Sequence, residues 1–156
     1  MSESLNFEEV LDRDGHLAYT NKGVSMLPLL RQGRDVMLIR KKGAEKLKKL
    51  DAVLFRRPQA DGKDAYVMHR ILRVNPDGSY WIIGDNCVTG DTVRDEQILG
   101  ILTGVIRDGK ELSFDDWSYK LYVNTWCRCY PARIALLRLK HFAGRCVRRV
   151  LPRSKI

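Results

Sequence analysis

The chain has 156 residues, of which 44% are hydrophobic and 30% are charged, with a formal net charge of +9. This length and composition support one folded core of ordinary size and exclude a disordered or fibrous protein. Residues 1–116 contain 18 Lys and Arg and all 19 Asp and Glu, whereas residues 117–156 contain 10 Lys and Arg and no acid. We therefore expect a nearly neutral domain, 1–116, followed by a cationic segment, 117–156.

The N-terminus predicts one short helix over residues 4–12, which ends before the turn signal Asp14-Gly15. Acidic residues stand where a secretory signal would have a basic start and an apolar run, so no signal peptide is expected. The longest stretch without Lys, Arg, Asp or Glu is only 10 residues, 97–106. A membrane-spanning helix needs about 20 apolar residues. We therefore expect a cytoplasmic or peripherally membrane-associated protein.

Residues 36–114 have the pattern of short strands separated by turn residues such as Asn75-Pro76-Asp77-Gly78. This pattern indicates a mainly β protein with a coiled antiparallel sheet. The predicted strands are Val36–Arg40, Ala52–Arg56, Tyr66–Val74, Tyr80–Ile83, Ile98–Ile106 and Glu111–Phe114.

After Asp116 the sequence becomes aromatic and then helical, with Pro131 suited to a first helical turn. Apolar residues recur at steps of three or four, and most arginines fall between them, which predicts a basic amphipathic helix. The apolar positions are Ala135, Leu139, Phe142, Cys146 and Val150. We expect this helix to be broken or bent near Gly144.

The four cysteines lack the spacing of a disulfide framework or of a four-ligand zinc site. We interpret them as reduced thiols, with Cys127 and Cys129 as a weak metal-binding pair at best. No cofactor and no metal site are predicted.

Three segments of the β region together supply the parts of a serine hydrolase site. Ser25 lies in a turn between the flexible Gly23 and the rigid Pro28, where backbone N–H groups could hold an oxyanion. His69 lies in a strand and can remove the serine proton at neutral pH. The loop Gly84–Asp91 offers a carboxylate that could orient the imidazole. Each chemical role thus has a candidate.

These segments resemble the signal peptidase family of serine peptidases, which is related to the self-cleaving LexA-type repressors. The stretch SMLPLLRQGRDVMLIR matches the family's serine motif with one extra residue, Arg34. Gly84-Asp85-Asn86 matches its later Gly-Asp-Asn motif. Where bacterial members and LexA-like proteins have a catalytic lysine, this chain has His69-Arg70-Ile71, which resembles the endoplasmic-reticulum and archaeal signal peptidases.

The resemblance implies a coiled antiparallel β-sheet peptidase fold of the signal peptidase/LexA type. It also implies a Ser25/His69 pair assisted by Asp91, with Asp85 as a mainly structural second carboxylate. Expected substrates are peptide or protein precursors with small residues before the cut, bound in a groove that Met26 would line. Because family members have a membrane helix before the serine, a membrane-anchored partner could supply one here.

Each of these residues also has a structural interpretation, since Ser25 alone could be a turn residue and His69 alone a packed strand residue. The rival hypothesis is a non-catalytic regulatory or binding module of the same fold, recruited through residues 117–156. That segment could be a solvated helix, an anionic-membrane contact or a nucleic-acid arm. We favour membrane over nucleic acid. His16 and His141 are expected to face solvent.

Overall fold

The computed structural model describes residues 7–150, with side chains described for residues 7–143. One helix precedes an eight-stranded sheet, and a helical segment follows it. The elements are α1 Phe7–Asp14, β1 His16–Thr20, β2 Val36–Lys41, β3 Ala52–Pro58, β4 Asp64–Val74, β5 Tyr80–Ile83, β6 Gly90–Val93, β7 Ile98–Arg107, β8 Lys110–Leu112, α2 Trp117–Tyr122, a π-helical turn Val123–Cys127 and α3 Tyr130–Val150.

The sheet has the order β1-β2-β7-β3-β4-β5-β6, and every pair of neighbouring strands is antiparallel. Strand β8 pairs, also antiparallel, with the C-terminal end of β7, whereas β3 pairs with the N-terminal part of β7. Register shifts interrupt the pairs β2–β7, β3–β7 and β4–β5. Such bulges bend a strand and increase its twist, which allows the sheet to curve. The predicted mainly β, antiparallel architecture is confirmed.

All six predicted strands occur, with ends displaced by at most two residues, and β1 and β6 are additional. The first helix is described as Phe7–Asp14 and continues two residues beyond the predicted end. Residues 4–6 of the predicted helix lie outside the described part of the chain. Gly15 follows with a φ of 74°, a conformation that glycine adopts without steric cost.

The central strands β3 and β4 are buried on both faces because apolar residues fill two separate clusters. Ala52, Leu54 and Met68 belong to the cluster that contains Leu11 of α1. The other cluster contains Val53, Phe55, Ile71 and Ile82. The middle of β4, residues 68–72, is therefore shielded from water on both sides of the sheet, and this includes the polar side chains of His69 and Arg70.

The C-terminal segment packs on the sheet domain through α2, the π-helical turn and the first two turns of α3. Cys127, Arg133 and Leu137 are buried there, and the ring of Tyr130 contacts that of Trp81 on β5. Helix α3 runs without a break from Tyr130 to Val150, so the helix is not broken near Gly144. The alternative expectation, a bend there, stays a prediction. Within residues 7–150, no helix has both the length and the apolar character that crossing a bilayer requires.

Candidate active site

Ser25 lies in the turn that joins β1 to β2, and it is partly buried. The side chain of Asn21 fixes the start of this turn, because its amide donates to the Gly23 carbonyl at 2.7 Å and its oxygen accepts from the Gly23 N–H at 3.3 Å. The Gly23 N–H is thereby occupied. The Ser25 N–H makes no hydrogen bond to the described residues, so it is free to donate to an oxyanion.

The Gly-Asp-Asn loop holds the serine turn from the other side. The backbone N–H of Asn86 donates to the Ser25 carbonyl oxygen at 2.7 Å, and its side-chain amide donates to the Val24 carbonyl at 3.1 Å. Gly84 lies in close contact with this turn. A β-carbon at residue 84 would lie 2.6 Å from the Ser25 carbonyl oxygen and 2.9 Å from Nε2 of His69. The loop therefore requires glycine at this position.

His69 lies on β4 opposite Val53 and is 5% exposed. Its ring is 6.0 Å from that of Phe55, and its Nδ1 has no hydrogen-bond partner among the described residues. Burial lowers the pKa of His69 to about 4, because the charged imidazolium loses hydration there. The imidazole is therefore neutral at pH 7, which is the form a general base needs.

Ser25 and His69 line the same open cavity, which has a volume of about 550 Å³. Its walls are mainly apolar and aromatic and come from α1, β1, β2, β3 and β4. Lys22 and Arg57 bring positive charge to it, and none of the lining residues among those that the structure describes is an acid. The main apolar contributors are Phe7, Tyr19, Met37, Ile39, Leu54, Tyr66, Val67 and Met68.

Asp91 lies on β6 opposite Ile82, and its carboxylate pairs with Arg57 at 3.6 Å. It makes no hydrogen bond to His69 in the described structure, so the predicted orienting contact is not formed. Its negative charge nevertheless raises the pKa of His69, while the charge of Arg57 lowers it, and both effects are smaller than that of burial. Asp91 therefore acts on the imidazole through charge.

Asp85 is fully buried and is the centre of a polar cluster, which we define as Arg70, Asp85, Tyr122 and Arg133. Arg70 donates to its carboxylate from Nε at 3.0 Å and from Nη2 at 2.9 Å. Tyr122 donates its hydroxyl to the same carboxylate, and Nη1 of Arg133 donates at 3.4 Å. The polar cluster joins β4, the Gly-Asp-Asn loop and the C-terminal segment.

Two residues that the resemblance gave a supporting role, Met26 and Pro28, do not line the cavity. Met26 is only 1% exposed and belongs to the hydrophobic core, so the expectation that it lines the groove is wrong. Pro28 is exposed and follows a cis peptide bond. His16 and His141 are exposed, as predicted. Cys127 is buried whereas Cys129 is exposed, and the side chain of Cys146 lies outside the described residues.

Sequence reasoning did not single out several residues that shape the site. Asn21 fixes the serine turn, Arg57 pairs with Asp91, and Cys87 lines the cavity with its Sγ 4.0 Å from the Ser25 carbonyl oxygen. For Asn21 and Cys87, the only sequence feature that could have indicated a role is that each lies within four residues of a motif. In the part of the chain with described side chains, no three His, Cys, Asp or Glu residues form a group that could hold a metal ion.

Comparisons of this chain with protein-family models, with curated proteins and with solved structures found no match. The site must therefore be interpreted from its own geometry.

Proposed function

We propose that the chain is a serine endopeptidase of the signal peptidase type, with Ser25 as nucleophile and His69 as general base. The observation that carries the proposal is the convergence of three separate sequence segments on one place. Ser25 and His69 line one cavity, and Gly84 of the Gly-Asp-Asn loop lies against both. The motif resemblance supports the corresponding fold, the signal peptidase/LexA type, within the observed antiparallel sheet.

In the proposed reaction, neutral His69 takes the proton of the Ser25 hydroxyl as the serine oxygen attacks the substrate carbonyl carbon. The oxyanion that forms accepts a hydrogen bond from the Ser25 N–H. The imidazolium then protonates the leaving amine, and the same histidine activates water to hydrolyse the acyl-enzyme. Asp91 favours the imidazolium through its charge. This division of roles needs no cofactor.

The substrate is a peptide or protein precursor that enters the cavity in extended form. The aromatic and aliphatic walls offer apolar contacts to its side chains, while Lys22 and Arg57 favour substrates without excess positive charge near the cut.

The test is cleavage of a diverse peptide library with the cut sites determined by mass spectrometry. Ser25→Ala and His69→Ala should each lower kcat by at least about three orders of magnitude. Ser118→Ala and His16→Ala are matched controls, since both residues are exposed and lie outside the cavity lining. Cleavage that survives Ser25→Ala, or no cleavage by the wild type, would refute the proposal.

A further inference from the structure

Helix α3 buries one face and exposes another. Near its start, Tyr130, Arg133, Ile134 and Leu137 are turned toward the sheet domain and are buried or partly buried. After Leu137, every residue with a described side chain, 138–143, is exposed. Residues 138–143 therefore project from the domain without packing on it.

The exposed face carries large apolar side chains. Leu136 is 55% exposed, Leu139 is 63% exposed and Phe142 is 58% exposed. With 3.6 residues per turn, these three positions form a stripe about 120° wide, whose centre lies on the side of α3 away from Leu137. Contiguous exposed apolar surface of this kind indicates an interaction site.

Cations border the apolar face on both sides. Arg138 and Lys140 are exposed, and at helical spacing they lie on either side of the stripe formed by Leu136, Leu139 and Phe142. The sequence beyond Ala143 adds further arginines, and residues 117–156 contain no acid. A partner for this face must therefore be anionic and must also accept apolar side chains.

We propose that α3 lies on the surface of a membrane that contains anionic lipid, with the Leu136–Phe142 face among the acyl chains. A helix with an apolar stripe between basic flanks fits this interface, because the cations reach lipid headgroups while the stripe leaves water. A second copy of the chain would bring like charges together. A nucleic acid would neutralise the cations and leave the three apolar side chains exposed. The proposal is independent of whether Ser25 is catalytic.

The experiment is co-sedimentation of the full-length protein with vesicles of phosphatidylcholine alone and of phosphatidylcholine with 30% phosphatidylglycerol. The protein should bind at least tenfold more tightly to the anionic vesicles. The triple variant Leu136→Gln/Leu139→Gln/Phe142→Gln should bind them at least tenfold more weakly than the wild type. Because all three side chains are more than half exposed, the variant should keep the wild-type Tm.

A double variant separates the contribution of the cations from that of the apolar side chains, and a single variant serves as the control. Arg138→Gln/Lys140→Gln should weaken binding severalfold and reduce its dependence on salt. Val74→Gln, an exposed apolar residue at the end of β4, is the control and should bind as the wild type does.

Three outcomes would overturn the proposal. One is equal binding to both vesicle types or to neither. Another is binding of duplex DNA at the same salt with vesicle binding absent. The third is a dimer, measured by light scattering, that the triple variant dissociates while vesicle binding stays unchanged.

Discussion

Asn86 donates its backbone N–H to the carbonyl oxygen of Ser25 at 2.7 Å and thereby ties the Gly-Asp-Asn loop to the proposed nucleophile. Its side chain adds a second bond, to Val24, at 3.1 Å. The residue that follows Asp85 thus acts on the serine turn, while Asp85 itself is directed into the interior.

Replacing Asn86 by Ala removes the side-chain bond and should loosen the serine turn. We expect kcat to fall about tenfold and the free energy of unfolding to fall by about 1 kcal/mol. Asn75→Ala is the matched control, because Asn75 makes a side-chain bond of 2.9 Å to Ser79 in a turn outside the cavity. It should lower stability similarly and leave peptide cleavage unchanged. Equal cleavage rates in the two variants would contradict the assigned role.

Gly84→Ala should damage the site directly. The added methyl group would stand 2.6 Å from the Ser25 carbonyl oxygen and 2.9 Å from Nε2 of His69, and because both distances are too short the serine turn and the imidazole must separate from the loop. We expect loss of most cleavage activity together with a lower Tm. Gly23→Ala provides the control for stability, since a β-carbon there meets nothing within 4 Å. The Tm of Gly23→Ala should equal that of the wild type. An unchanged Tm together with full activity in Gly84→Ala would show that the close contact at Gly84 is unimportant.

Buried His69 makes stability sensitive to acid. Its pKa of about 4 in the folded protein is below the ordinary value of 6.5, so on acidification the unfolded chain takes up the proton first. The contribution of His69 to the free energy of unfolding is therefore constant above about pH 6.5 and falls by roughly 3 kcal/mol toward pH 4. Urea unfolding of wild type and His69→Gln at pH 7 and pH 4.5 tests this. The same decline in both proteins would rule out His69 as its source.

Arg57 and Asp91 should shift the pH profile of cleavage in opposite directions. Asp91 raises the pKa of His69 and Arg57 lowers it. Asp91→Asn should therefore move the acid limb of kcat/KM to lower pH, and Arg57→Gln should move it to higher pH. Shifts of both variants in one direction would show that the two charges do not act on the base independently. Arg94→Gln, an exposed cation outside the cavity lining, is the control.

The two arginines of the polar cluster should differ in importance. Arg70 makes three bonds to Asp85 and one to the Leu50 carbonyl, at 2.7 Å. Arg133 reaches Asp85 only at 3.4 Å, and its buried Nε and Nη2 have no partner among the described residues. Arg70→Met should cost roughly 3–5 kcal/mol of stability and Arg133→Met less than about 2. Chemical denaturation measures both, and a larger loss in Arg133→Met would reverse the assignment.

The sequence predicted the sheet well where strands were apolar and ended at turn residues, as in Tyr80–Ile83. It did not predict β6, because Gly90 and Asp91 disfavour strands and form one here only by pairing with β5. β1 was missed because its five residues include only one fully buried apolar side chain, Leu17. Local pattern carries little information where a neighbouring strand determines the conformation.

The site residues were predictable as motifs, whereas their partners were not. The order of the motifs along the chain does not by itself predict that Ser25 and His69 line one cavity. Only the resemblance to the signal peptidase family predicted it. The carboxylate of Asp85 accepts hydrogen bonds from Arg70, Tyr122 and Arg133 among others, and the last two lie in the cationic segment 117–156. The predicted position of Met26 was wrong because an apolar residue beside a nucleophile can face either the groove or the core. The alternation of inward and outward side chains that holds in a strand does not apply within a turn.

The polar cluster has a consequence for the order of events during synthesis. Ser25, His69 and Asp85 are all translated in the first 85 residues, but Tyr122 and Arg133 complete the surroundings of Asp85 only later. The strand β7, which pairs with both β2 and β3, also comes after them. A nascent chain still held at the ribosome therefore lacks the contacts that shape its site, and the proposed peptidase activity should appear only once α3 has emerged.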